Sequence, residues 1–142
     1  MTYLPDPAAA DERQARARIL IVDDELWGML LRMLLEAGYQ HAEAVSSARE
    51  AFRAVIARPV DLAVLDVTLQ GDDVVRDGCD LGRKLCRQWP GTRVLFLTGW
   101  GPGSLPEDCP PDLPLVTKPV TPQAFKARVA EALLQPPYVW RD

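Results

Sequence analysis

The chain of 142 residues is 48% hydrophobic and 25% charged, which suits one domain with an apolar core and excludes a disordered chain. The formal net charge of −4 provides no general attraction for nucleic acid, and no basic patch stands out, so we expect no nucleic-acid partner. No apolar run approaches the roughly 18 residues of a membrane span, and the N-terminus lacks the apolar core of a secretory signal. We therefore expect a cytoplasmic protein without membrane contact.

The first predicted strand follows a short tail. Residues 1–17 contain two prolines and no clear apolar face, so we predict an N-terminal tail that is mobile or weakly helical. The run RILIVDD starts at Arg18 and is continuously apolar until it ends on Asp23 and Asp24. This pattern is typical of a strand that is buried on both faces of a parallel sheet.

A helix, an edge strand and a second helix are predicted next. Apolar residues recur three and four apart over residues 26–37, and Gly38 follows where a helix C-cap belongs. The stretch HAEAV alternates weakly, as expected of a short edge strand. Ser47 and Glu50 then form a capping box for the second helix, which ends at Pro59.

Two further strands are predicted by LAVLD, which ends on Asp66, and RVLFLT, which ends on Thr98. A helix capped by Asp77 lies between them. Residues 99–113 contain four prolines and three glycines, which are too many helix breakers for an ordinary helix. A fourth helix is therefore expected to be short or absent.

The last predicted elements are a strand, PLVTK, which ends on Lys118, and a helix with Thr121 as its N-cap and Pro122 in its first turn. Pro136 and Pro137 end that helix. Strands that alternate with helices over short connections predict an α/β fold with a doubly wound parallel sheet. The ligand crevice of such a fold lies at the carboxyl ends of its strands.

The three cysteines, Cys79, Cys86 and Cys109, are odd in number and lack CxxC spacing. This argues against a disulfide framework and against a zinc site. We therefore expect buried or incidental thiols.

Five polar side chains are predicted to face the crevice: Asp23, Asp24, Asp66, Thr98 and Lys118. Three carboxylates in one place repel one another, so the site requires a cation. Magnesium fits, because this hard ion takes carboxylate oxygens and keeps some water. A lysine and a hydroxyl beside it provide charge neutralisation and a hydrogen bond for a phosphoryl group on Asp66. The sequence thus predicts a magnesium-dependent phosphoacceptor.

Four motifs, ILIVDDE, LAVLDVTL, LFLTG and VTKPV, carry a resemblance to a known family by their order and spacing. The sequence resembles a bacterial response-regulator receiver domain of the stand-alone, single-domain type. We assign the domain to residues 18–135 and a C-terminal tail to residues 136–142. The resemblance implies a flavodoxin-like, five-stranded parallel sheet of order 2-1-3-4-5.

The resemblance also implies roles for individual residues. A histidine kinase or a histidine phosphotransfer protein would phosphorylate Asp66. Asp24 and Asp66 would bind Mg²⁺ directly, and Asp23 would act mainly through water. The other implied features are a metal contact by the backbone carbonyl of Thr68, phosphoryl contacts by Thr98 and Lys118, and a cis peptide before Pro119.

The sequence departs from the family pattern after the third strand. Gln70 stands in place of the usual proline, and the matching glycine is Gly78, four residues late, so we expect a long loop over residues 70–77. A metal role for Asp72 or Asp73 is one alternative. A solvated loop is the interpretation that we favour.

Aromatic positions differ as well. Leu115 replaces the usual aromatic residue on the fifth strand, and Trp100 either takes over part of its role or packs under the proline-rich loop. Tyr138 and Trp140 lie past the last helix, where a docking tail is one interpretation and a loosely packed end is the one we favour.

The sequence therefore indicates a two-component response regulator that accepts phosphate on Asp66 and signals by contact with an unidentified protein target. No enzymatic activity is expected beyond Mg²⁺-dependent self-phosphorylation and autodephosphorylation. No output domain fits after the last helix, so relay, effector and phosphate-sink roles stay open, as does the receiver of a hybrid kinase if the chain is a fragment. The enzymatic alternative, a haloacid-dehalogenase-like phosphohydrolase, needs an acid where Thr68 stands. A phosphorylation-independent interaction module is the third alternative.

Overall fold

The computed structural model describes residue 12, residues 14–99 and residues 105–141. Its strands are β1 (Arg18–Val22), β2 (His41–Val45), β3 (Leu62–Asp66), β4 (Arg93–Thr98) and β5 (Leu115–Thr117). They form one parallel sheet in the order β2-β1-β3-β4-β5. The predicted flavodoxin-like doubly wound sheet and its strand order are confirmed.

Four helices follow β1 among the described residues: α1 (Trp27–Glu36), α2 (Ala48–Ala57), α3 (Gly78–Gln88) and α4 (Pro122–Leu134). Three predicted N-caps are confirmed, because the side chains of Ser47, Asp77 and Thr121 each accept the backbone N–H three residues on. Helix α1 lacks a side-chain cap. In the described part of the chain, no helix has both the length and the apolar character that a membrane crossing requires.

The sheet separates two apolar cores, because helices cover both of its faces. Along β1, Ile19 and Ile21 face the core beneath α1 and α4, whereas Leu20 and Val22 face the core beneath α2 and α3. All four side chains are fully buried. The central strands are therefore apolar on both faces, and their polar residues gather at their carboxyl ends.

The segment between β4 and β5 contains turns and no helix over residues 105–114. This agrees with the predicted short or absent fourth helix for the part that is described. Trp100, for which two roles were left open, lies outside the described residues.

The cysteines correct one expectation. Cys79, the second residue of α3, forms a disulfide with Cys109, which lies in the segment after β4. The expectation of unpaired thiols is wrong for this pair, because two cysteines 30 residues apart meet through tertiary structure that local spacing does not reveal. It is confirmed for Cys86, which is free and buried, and burial raises the pKa of its thiol to about 11.

The C-terminal tail packs against the domain rather than lying loosely beside it. The rings of Trp140 and Phe96 meet edge to face, with their centroids 6.3 Å apart. The Tyr138 hydroxyl donates a hydrogen bond of 2.8 Å to Asp112 Oδ1. Both tail aromatics are half-buried against the core beneath α2 and α3, on the side of β4 where a fourth helix is missing from the described segment.

Candidate functional site

Asp66 ends β3, the central strand of the sheet, and is only 2% exposed. Its Oδ1 accepts hydrogen bonds from both the backbone N–H and the hydroxyl of Thr68, each at 3.0 Å. Its Oδ2 lies 3.3 Å from Lys118 Nζ. Oδ1 of Asp66 is therefore held by Thr68, two residues later in the chain, and Oδ2 faces the ammonium group of Lys118.

The two acids that follow β1 have different surroundings. Asp23 is fully buried, and its Oδ1 accepts the backbone N–H groups of Glu25 at 2.8 Å and of Leu26 at 2.9 Å, just before α1 begins. Asp24 is exposed. One carboxylate oxygen from each of these acids and one from Asp66 lie within 4.8 Å of one another. The structure thus brings the three predicted acids together.

Lys118 follows β5 and reaches between two of these acids. Its Nζ lies 3.3 Å from Asp66 Oδ2 and 3.4 Å from Asp23 Oδ2. Burial alone would lower the pKa of the ammonium group, but the charges of Asp66 and then Asp23 outweigh burial and raise that pKa. The lysine is therefore held in its charged form. The peptide bond to Pro119 is cis, as the resemblance implies.

Thr98 is placed beside the lysine by strand pairing. It ends β4, pairs with Thr117 of β5, and is fully buried. Its backbone carbonyl accepts the N–H of Lys118 at 2.7 Å. Thr98 and Lys118 therefore share the edge of the sheet where Asp66 lies, while a contact between Thr98 and a phosphoryl oxygen stays a prediction.

The donor set at this edge fits Mg²⁺. Asp23 Oδ2 is buried and shares the ammonium group of Lys118 with Asp66 Oδ2, at 3.4 Å and 3.3 Å. Three carboxylates outweigh the single positive charge of Lys118, and oxygen atoms of this kind are the ligands that Mg²⁺ takes. The carboxylates of Asp23, Asp24 and Asp66 would hold the ion. A further contact by the Thr68 carbonyl stays a prediction.

The loop after β3 closes against the site at Gly78. A Cβ on Gly78 would lie 1.7 Å from the backbone oxygen of Asp66, so a larger residue would displace the backbone that carries the acid. The N–H of Gly78 donates to the carbonyl of Val67 at 3.1 Å. This close approach gives a physical reason for a glycine at this position, four residues later than in the family pattern.

Asp72 and Asp73, the loop acids for which a metal role was an alternative, lie outside the carboxylate cluster of Asp66. Asp72 Oδ1 accepts the N–H groups of Val74 at 2.7 Å and Val75 at 3.0 Å, and these bonds lower the pKa of Asp72. Asp73 pairs with Arg49 at 2.7 Å. Both acids are exposed. The favoured interpretation of a solvated loop agrees with these positions, and the structure adds that its own side chains fold it.

One buried acid near the site was not predicted from the sequence. Asp80, in the first turn of α3, is 4% exposed and accepts hydrogen bonds from the Arg76 N–H at 3.0 Å and from Arg83 at 2.8 Å, with Lys84 Nζ at 3.4 Å. Burial raises its pKa, but the hydrogen bonds of Arg83 and Arg76 and the charge of Lys84 outweigh burial and lower it to about 2. The available signal was the pair of basic residues three and four positions later.

The chain is similar in sequence to known proteins. The sequence profile of the response regulator receiver domain matches residues 19–130. The transcriptional regulatory protein YvrH of Bacillus subtilis (strain 168) is 39% identical over 84 residues, which are 58% of this chain and 33% of that protein. The chain thus spans about a third of the length of this relative.

Solved structures share the fold. The receiver domain of NtrX from Brucella abortus has a TM-score of 0.67 at 24% identity, covering 81% of this chain and 97% of that chain. The chemotaxis response regulator CheY4 of Vibrio cholerae has a TM-score of 0.70 at 23% identity, covering 82% of this chain and 98% of that chain. At these identities the likeness concerns the fold.

Proposed function

Because the chain belongs to the family of response regulator receiver domains, we propose that it is a phosphorylation switch of a two-component system with Asp66 as its phosphoacceptor. The observation that carries the proposal is the position of Asp66 Oδ2, 3.3 Å from Lys118 Nζ. The carboxylates of Asp23 and Asp24 complete a cluster with Asp66. A nucleophile, a cation for phosphoryl oxygens and ligands for a metal thus meet at one edge of the sheet.

The proposed attacking atom is Asp66 Oδ2, because Oδ1 is held by two hydrogen bonds from Thr68. Attack in line on a phosphohistidine forms the bond between Oδ2 and phosphorus and breaks the N–P bond, and the imidazole nitrogen leaves with the electron pair. Lys118 then neutralises charge on a phosphoryl oxygen, and the Thr98 hydroxyl donates to another. Magnesium, when bound, would offset the remaining charge on the transferred group. Water later hydrolyses the acyl phosphate and restores the carboxylate.

The proposed phosphodonor is a histidine kinase or a histidine phosphotransfer protein in the cytoplasm, and the proposed output is contact with a protein target. We assign the switch to residues 18–135. Relay, effector and phosphate-sink roles differ in the fate of the phosphoryl group. Following a labelled phosphoryl group from Asp66 onto added phosphotransfer protein or into inorganic phosphate separates a relay from the other two roles.

Incubation with acetyl phosphate and Mg²⁺, followed by intact-mass measurement, tests the assignment. The wild-type protein is expected to gain the mass of one phosphoryl group in an acid-stable, base-labile linkage, and chelation of the metal should prevent this gain. The Asp66→Asn variant should gain none. Asp72→Asn changes an exposed acid of the neighbouring loop, keeps an oxygen that accepts hydrogen bonds, and should label like the wild type.

Two kinds of result would overturn the proposal. The first is a folded wild-type protein that gains no phosphoryl group, or an Asp66→Asn variant that gains one as the wild type does. The second is steady hydrolysis of a small phosphate ester that Asp66→Asn abolishes, which would make the protein a phosphohydrolase.

A further inference from the structure

The disulfide joins two elements that flank the candidate site. Cys79 directly follows Gly78, the residue that approaches the backbone of Asp66, and Cys109 lies in the segment 105–114 that leads into β5. Their Cα atoms are 6.2 Å apart, and both residues are buried, with Cys79 1% and Cys109 8% exposed. The bond therefore fastens the segment after β4 to the first turn of α3.

A cleft of about 660 Å³ runs beside the disulfide, and both cysteines belong to its wall. This volume is within the range of small-molecule sites. Among the described residues of the wall, Arg83 pairs with the buried Asp80 and Arg76 pairs with Asp108, while Arg141 and Glu107 add one charge of each sign. Arg141 and Glu107 suit a zwitterionic peptide, because the guanidinium group can bind a carboxylate and the glutamate an ammonium group.

We propose that Cys79 and Cys109 are a reversible thiol–disulfide couple that exchanges, through this cleft, with a small carboxylate-bearing thiol of the glutathione type. Oxidation fastens segment 105–114 to α3, and reduction releases it. Disulfides in cytoplasmic proteins are rare, and those that form there are usually transient or redox-sensing. This redox input goes beyond the proposed phosphorylation and does not depend on it.

The exchange is balanced in atoms and electrons. The thiolate of Cys109, the more exposed cysteine, attacks one sulfur of glutathione disulfide, and one glutathione leaves as its thiolate. The Cys79 thiolate then attacks the Cys109 sulfur of the mixed disulfide and displaces the second glutathione. Two protein thiols lose two electrons and two protons, and one glutathione disulfide becomes two thiols. Reduction runs the same steps backwards.

Reduction would remove the covalent attachment of segment 105–114, which would keep the buried Leu113 and the packing of Leu105 against the core beneath α2 and α3. The ion pair between Arg76 and Asp108 has side chains that are 66% and 46% exposed, and exposed pairs contribute little to stability. The segment also accepts a hydrogen bond from the Tyr138 hydroxyl and one from the Phe96 N–H, which donates to the Pro114 carbonyl. Because the segment lies between Thr98 and Lys118 in the chain, its release changes the surface that a partner meets beside the phosphorylation site.

A redox titration of the whole chain tests the couple. The protein is equilibrated in glutathione buffers of graded oxidation, free thiols are trapped by alkylation, and peptide mass spectrometry quantifies the linked Cys79 and Cys109 peptides. We expect one two-electron transition within the range of these buffers. Hydrogen exchange over residues 105–114 should be several-fold faster in the reduced form than in the oxidised form. The Cys86→Ser variant, which removes the free thiol of the same helix, should give the same titration.

Several outcomes would overturn the proposal. One is a pair that is never linked in the most oxidising buffer, or never reduced in the most reducing one. Another is exchange over residues 105–114 that is equal in both states. A third is tight Zn²⁺ binding by the reduced protein, because the two sulfurs and Asp108 lie close enough to share an ion. The Asp66→Asn variant should titrate like the wild type, so failure of the phosphoacceptor assignment stays separate.

Discussion

Two irregular segments leave the same edge of the sheet and are held in opposite ways. Residues 70–77, after β3, are held by themselves and by α3, which follows directly: Asp72 closes a turn with its own neighbours, Lys84 donates to the Val74 carbonyl, and Asp80 accepts the Arg76 N–H. Residues 105–114, after β4, are fastened from outside by Cys79 of α3 and Tyr138 of the tail. A segment built from local bonds keeps its shape when its surroundings change, whereas one held by distant partners responds to each of them.

The two segments meet at an ion pair, in which Arg76 Nη2 lies 2.6 Å from Asp108 Oδ2. Asp80 supports this junction from α3, since it accepts the backbone N–H of Arg76. Four substitutions test how far the two segments depend on their surroundings, beginning with the largest expected effect.

The Gly78→Ala substitution is expected to break the closure of the first segment. The added Cβ would overlap the backbone oxygen of Asp66, which cannot rotate away, so we expect the free energy of unfolding to fall by about 3 kcal/mol. Labelling of Asp66 by acetyl phosphate should fall as well. Urea unfolding and intact mass measure these two effects.

Gly28→Ala, where the added Cβ meets open space in α1, is the control and should be neutral or stabilising by up to about 1 kcal/mol. Equal stability of the two variants would contradict the prediction.

The Asp80→Asn substitution is expected to loosen both segments at their junction. The pKa of Asp80 is about 2 in the fold against an ordinary 3.8, so the unfolded chain binds more protons between these values. The stabilisation is therefore complete above about pH 4 and is lost as the pH falls toward 2. This stabilisation by the ionised Asp80 corresponds to about 2 kcal/mol in the free energy of unfolding.

Urea unfolding between pH 2 and pH 7 measures this contribution, over a range chosen from the pKa of about 2. Asp80→Asn should be less stable at pH 7 and should lose less stability on acidification than the wild type. Asp108→Asn changes the exposed acid of the same junction and should keep the wild-type pH dependence. If Asp80→Asn lost as much stability on acidification as the wild type, another group would be responsible for the pH dependence.

The Trp140→Ala substitution is expected to affect residues 105–114 and to leave residues 70–77 unchanged. Loss of the edge-to-face contact with Phe96 is expected to lower the free energy of unfolding by about 1.5 kcal/mol, less than a fully buried tryptophan because Trp140 is half-buried. Hydrogen exchange should quicken over residues 105–114 and stay unchanged over residues 70–77. Val139→Ala, at a side chain that is 71% exposed, should change neither. Faster exchange in residues 70–77 would mean that the first segment also depends on the tail.

The Arg49→Ala substitution should have the smallest effect. Arg49 reaches Asp73 from α2, but both side chains are more than half exposed, so the ion pair adds little. We expect no resolvable change in the urea midpoint and no change in hydrogen exchange over residues 70–77. Loosening of this loop would show that its shape depends on the contact with α2.

Local patterns in the sequence were sufficient for the sheet and for much of the site. Apolar runs that end on Asp66 and Thr98 predicted strands whose polar ends meet, because parallel strands share one carboxyl edge. The three N-caps were also predictable, since a cap involves residues only three apart. These features depend on neighbours in the chain, which the sequence displays directly.

Features that depend on distant contacts were missed. The burial of Asp80 was missed, because basic residues three and four positions after an acid also occur on exposed helix faces. The pairing of Cys79 with Cys109 and the contact of Trp140 with Phe96 arise from the path of the chain after β4. The hydrogen bond of the Thr68 hydroxyl to Asp66 was missed for another reason, because the resemblance implies a role for the Thr68 backbone carbonyl and none for its side chain.

The rate at which the third thiol, Cys86, is alkylated can measure how often the core of the protein opens. Cys86 is 7% exposed, and burial raises its pKa to about 11, so almost none of it is a reactive thiolate near neutral pH while the core is closed. An alkylating reagent should therefore modify Cys86 at the rate at which the core beneath α2 and α3 exposes it. Modification at Cys86 would measure openings of the domain, whereas modification at Cys79 and Cys109 would require that the disulfide between them is reduced.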